Sequence, residues 1–178
     1  MKRLIRIIDR LALAGGWLSG LMVCLGLTLV VAEIITRSAF NSTLYIAEEY
    51  AGYMMCGLTF FALAYTLREK GHIRMTFMHK VVEGRPRLIL DLVCFAVGLF
   101  FSLGLVYNTS LFFWDSVVSR SQSMQISETY LAIPEVVLPL GALLLALQFI
   151  SEFLKTVLVL KDDTEGLDIL SESGDLGR

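Results

Sequence analysis

An all-α integral membrane fold with four spanning helices is predicted from three features of the chain. Long stretches carry no charge, the charges gather between those stretches, and Lys and Arg favour one set of connecting segments. Of 178 residues, 56% are hydrophobic and only 18% are charged. A soluble domain of this size would be about a quarter charged. Charge-free runs occupy residues 11–32, 50–67, 92–114 and 136–151, and the last continues in an apolar pattern to Leu160. A spanning helix needs about 20 mostly apolar residues to cross ~30 Å of hydrocarbon. The four helices are therefore expected at 11–36, 46–67, 88–114 and 134–160. Open sheets cannot satisfy their backbone in lipid, and the segments lack the alternation of a barrel.

The first helix follows Lys2, Arg3 and Arg6, as a signal peptide would. Its charge-free run exceeds a signal core, however, and it ends in Glu33 and Arg37 rather than at a small-residue cleavage site, so a retained helix is expected. Lys2, Arg3, Arg6 and Arg10 precede helix one; Arg68, Lys70, Arg74, Lys80, Arg85 and Arg87 follow helix two. Arg37 and Arg120 stand alone in the other two loops. This asymmetry places both termini and the middle loop in the cytoplasm. In the middle loop, Ile73, Met75, Phe77, Met78, Val81 and Val82 interleave with Arg74, His79 and Lys80. That pattern suits an amphipathic helix lying in the membrane interface. Pro134 fits the first turn of helix four, where its missing N–H costs nothing, and Glu135 favours the positive end of that helix. Residues 1–160 form the membrane domain, and the acidic tail 161–178 cannot bury enough apolar surface to fold.

Several function classes are disfavoured. The net charge is −2, and the basic residues lack interleaved aromatics, so no nucleic-acid site is expected. Cys24, Cys56 and Cys94 lie in three different apolar runs, a pattern of buried thiols rather than disulfides or a zinc site. His72 and His79, the only histidines, fall in the middle loop, so axial haem ligands inside the bundle are missing. No cofactor, metal cluster, phosphate loop or nucleophile–base pair is expected.

Charges near the membrane are the natural functional candidates, because each costs a few kcal/mol near its centre. Glu33 and Arg37 are spaced for an i,i+4 pair. Glu48 and Glu49 open helix two, where they gain from the helix dipole or meet a partner or Arg37. Arg87 with Asp91, and Glu152 with Lys155, read as interfacial structural pairs. Gly16 and Gly20 form G-x-x-x-G, and Gly98 with Ser102 repeats the small-residue spacing, for packing within or between chains. Phe112, Phe113 and Trp114 fit an aromatic belt. The polar midplane residues are isolated: Thr28, Thr59 and Ser102. Carriers place polar residues or broken helices there, so a scaffold is expected rather than a conduit.

The order of several short runs resembles the small permease (Q-type) subunit of tripartite ATP-independent periplasmic (TRAP) transporters. These runs are Arg37-Ser-Ala-Phe-Asn41, Glu48-Glu49-Tyr-Ala-Gly52, Ala64 to Arg68, Gly71-His72-Ile73-Arg74 and Ile133-Pro-Glu-Val-Val-Leu-Pro139-Leu-Gly141. The resemblance covers residues 1–160. It implies a non-catalytic inner-membrane subunit that pairs with a large elevator-type permease subunit holding the substrate and sodium sites. A periplasmic binding protein delivers an organic acid anion to the pair. It further implies that Arg37, Asn41, Glu48 and Glu49 brace a partner near the outer surface, and that Arg68, His72 and Arg74 meet phospholipid headgroups at the inner one. Two other classes compete. A redox-enzyme anchor would need intramembrane His ligands, and a small multidrug carrier would place a carboxylate inside helix one rather than near its end.

Overall fold

The computed structural model describes residues 2–69 and 85–160. Its helices are α1 (Lys2–Phe40), α2 (Tyr45–Arg68), α3 (Arg85–Ser119), the single-turn α4 (Ala132–Glu135) and α5 (Val137–Leu160). Four of them are long and apolar enough to span a membrane, as expected. The interfacial helix predicted between α2 and α3, with His72, Arg74 and His79, lies outside the described residues, as does the tail 161–178.

Helices α1, α2 and α3 overrun their expected bounds. α1 starts nine residues before the charge-free run, because Arg3, Arg6 and Arg10 point outward while Ile5, Ile8 and Ala12 pack inward at 2%, 4% and 2% exposure. Charge there marks the edge of the hydrocarbon, not the end of the helix. At its other end α1 stops at Asn41, which takes φ 48°. Asn is the residue after glycine that most readily adopts this left-handed stop. α3 likewise runs past Trp114 to Ser119 and stops at Arg120, with φ 49°.

The expected last helix is broken. α4 and α5 are separated at Val136. Pro139 has no N–H to give to the Glu135 carbonyl, and its ring crowds that carbonyl. The neighbouring bonds lengthen: Val136 N–H reaches Ala132 O at 3.3 Å and Leu140 N–H reaches Val136 O at 3.4 Å.

α5 is the central post. It packs on α1, α2 and α3, whereas α3 leans chiefly on α5 and α1 chiefly on α2. The most apolar stretch of α5 is accordingly 33% buried, against 6% for that of α1. A core of Leu67, Phe95 and Leu145, flanked by Leu63, Leu105, Phe149 and Phe153, joins α2, α3 and α5. Gly141 lets α5 cross α2 closely: a Cβ there would sit 2.9 Å from the Phe60 carbonyl carbon and oxygen.

Candidate functional site: two polar clusters

Polar side chains gather at the two ends of the bundle. One end, called proximal here, holds the start of α1 and the last turns of α5; the distal end holds the α1–α2 turn and the loop from α3 to α4.

The proximal cluster joins α1 to α5. Asp9 lies on the inward face of α1 with Ile5, Ile8 and Ala12, an i, i+3, i+4, i+7 set. Its Oδ1 accepts hydrogen bonds from Gln148 Nε2 at 3.2 Å, Ser151 Oγ at 3.3 Å and Lys155 Nζ at 3.1 Å. Lys155 also lies 3.0 Å from Asp9 Oδ2 and 2.8 Å from Glu152 Oε1. Gln148 Nε2 bridges to Glu152 Oε1 at 3.2 Å. Gln148 and Ser151 are fully buried, and the three charged side chains are 7–15% exposed. One ammonium thus holds two carboxylates from two helices in a nearly closed pocket. The low dielectric strengthens these bonds and penalises any partner left alone.

The distal cluster is more open and rests on two carboxylates. Glu33 Oε1 accepts from Arg37 Nη2 at 2.7 Å and Nε at 3.2 Å, the expected i,i+4 pair. Its Oε2 accepts the Leu44 N–H at 2.6 Å, which ties the α1–α2 turn to α1. Glu49 accepts from Tyr53 Oη at 2.6 Å and, through a short bond, from Ser127 Oγ. Thr129 Oγ1 donates to Ser127 Oγ at 3.0 Å and lies 3.3 Å from Tyr50 Oη. The loop is held in turn by Ser123 N–H to Thr129 O at 2.9 Å and Leu131 N–H to Ser121 O at 3.0 Å. Glu49 is therefore the anchor by which α2 holds the α3–α4 loop, and Arg37 is engaged by Glu33 instead. Arg37 and Glu48 border an open groove of ≈ 690 Å³ with Val30, Ile34, Leu44 and Gln125. Asn41 is exposed at the turn above it.

The other singled-out residues have plain positions. A Cβ on Gly16 would meet the Tyr65 ring 2.7 Å away, and one on Gly98 would run into the Phe149 ring, whereas Gly20 faces open space. The predicted G-x-x-x-G therefore does not act as one face within the chain. Arg68 ends α2 and pairs with Glu69 at 3.2 Å. The side chain of Arg87, the expected partner of Asp91, lies outside those described. Thr28, Thr59 and Ser102 donate to carbonyls of their own helices at 2.7, 2.9 and 2.9 Å, which satisfies them locally.

The sequence does not single out Asp9, Gln148 or Ser151; the expected Glu152–Lys155 pair forms, but as part of a nearly enclosed cluster that also holds Asp9. A signal existed in each case. Asp9 is the one acid among four bases on a recurring inward face. Gln148, Ser151, Glu152 and Lys155 form a single stripe of α5, and Gln148 stands halfway along that helix.

Four helices long and apolar enough to span a membrane, joined by one nearly enclosed, ion-paired polar cluster, define a multi-pass membrane protein. The family model described as "Tripartite ATP-independent periplasmic transporters, DctQ component" matches residues 26–158. The chain belongs to this family, and so is a small membrane component of a TRAP transporter. No curated protein and no solved structure matches it.

Proposed function

We propose that the chain is the non-catalytic scaffold of a sodium-coupled TRAP importer of an organic acid anion. It lies in the bacterial inner membrane with both termini cytoplasmic. It braces a large elevator-type permease subunit, which holds the substrate and sodium sites, and its distal end faces the periplasmic binding protein. The observation that carries this reading is the lack of a polar route along the described spans. Thr28, Thr59 and Ser102 bond to their own helices, and the buried charged side chains at the proximal end bind one another rather than lining a passage. A subunit of this kind contributes surface and rigidity. The groove edged by Arg37 and Glu48, with Asn41 beside it, is the distal contact, and Glu49 serves it indirectly by fixing the adjoining loop. The open side of α1 at Gly20 offers small-residue packing to a helix of the permease subunit. Arg68, with His72 and Arg74, meets headgroups where α2 leaves the membrane.

Reconstitution tests this directly. Vesicles holding the large subunit, this chain and the binding protein should take up the organic acid under an inward sodium gradient, and omission of this chain should abolish most of that uptake. Vesicles holding this chain alone should take up nothing. Solute movement by the chain alone would overturn the proposal.

A further inference from the structure

The first three turns of α1 sort their side chains onto three faces. Ile5, Ile8, Asp9 and Ala12 face the bundle. Arg3, Arg6 and Arg10, spaced i, i+3, i+7, form an exposed second stripe. Leu4, Ile7 and Leu11 form a third, at 51%, 55% and 44% exposure. Among the described residues no carboxylate pairs with any of the three arginines. The nearby acids, Asp9 and Glu152, are both taken by Lys155. Among the described residues, the helix therefore opens with three cations without a carboxylate partner, spread over about 10 Å of axis. Beside them runs an apolar stripe that continues without a break into the exposed, charge-free face of the span at Leu18 and Leu25.

We propose that this double stripe is a binding site for anionic phospholipid. The guanidinium forks of Arg3, Arg6 and Arg10 hold the phosphate-bearing headgroups, and the acyl chains lie along Leu4, Ile7 and Leu11. Arginine matches phosphate with paired donors, and a basic cluster beside a spanning helix attracts anionic lipid over zwitterionic lipid. The apolar stripe decides between a lipid and an acidic polypeptide, because it continues directly into the hydrocarbon-facing side of α1. Asp9, clamped by Gln148, Ser151 and Lys155, fixes the rotation of α1, so the arginines are presented as one row. The site is built from α1 alone and stands whether or not the scaffold reading holds.

The test uses the full chain in neutral detergent, titrated with phosphatidylglycerol or phosphatidylethanolamine. Melting temperature and the lipids retained in native mass spectra are read. Phosphatidylglycerol should raise the melting temperature by several degrees more and be retained preferentially. The variant Arg3→Gln/Arg6→Gln/Arg10→Gln should lose that preference and keep its lipid-free melting temperature, whereas the matching triple Lys variant should keep most of the preference. If the triple Gln variant does not fold, Arg6→Gln alone should lose part of the preference. Equal responses to the two lipids in the unaltered chain, or an undiminished preference in the Gln variants, overturn the proposal. A chain ending at residue 160 tests the rival occupant, the acidic segment 161–178. A preference that appears only in that shortened chain assigns the stripe to the segment and also overturns the proposal.

Discussion

The two ends of the bundle handle charge in opposite ways. At the proximal end, Asp9, Glu152 and Lys155 are almost enclosed and bind across two helices that are far apart in sequence. At the distal end, Glu33 binds Arg37 one turn away on the same helix, and the Arg37 side chain remains 68% exposed. The first arrangement fixes how α1 and α5 meet. The second leaves polar groups at the surface, where another molecule can use them. A buried charge set is costly to break, whereas an exposed pair is nearly dispensable.

The sharpest way to break the contrast is Lys155→Met. It leaves Asp9 and Glu152 facing each other without a cation and should cost about 3–5 kcal/mol, a fall in melting temperature on the order of 10 °C. Thermal unfolding in detergent measures it; a drop of only a degree or two would mean that the cluster is wetter than its burial indicates. Asp9→Asn keeps the Lys155–Glu152 pair at 2.8 Å and should cost less, about 1–3 kcal/mol, in the same assay. Gly141→Ala pushes a methyl group against the Phe60 backbone and should cost a similar 1–3 kcal/mol, about what overpacking costs elsewhere. Glu49→Ala should act locally: backbone amides of residues 121–131 should exchange hydrogen faster while those of α5 do not, and unchanged loop exchange would remove Glu49 as its anchor. Arg37→Ala should have the smallest effect, with no resolvable change in melting temperature.

Much of this was readable in the chain itself. The four spans follow from runs without charge, and the Glu33–Arg37 pair from its spacing. The helix ends were less readable, since charge reports where water begins and not where the backbone stops coiling; Arg6 and Arg10 sit on an intact helix. Pro139 was a visible signal for the break before α5, but Pro134 five residues earlier pointed to a single start. The proximal cluster was hidden for a different reason. Asp9 and Lys155 lie 146 residues apart, and no local pattern brings them together. Glu49 stands out at the start of α2, but its partner, Ser127, lies 78 residues away in a loop without periodicity.

The central place of α5 has a consequence for biosynthesis. The helix on which the others rest follows α1, α2 and α3 out of the ribosome. Until it enters the bilayer, α3 lacks its main neighbour, and Asp9 lacks the ammonium that arrives 146 residues later in the chain. The bundle can therefore close only once α5 has been made, and a product truncated before it would leave α3 without its main neighbour and open to quality-control proteases.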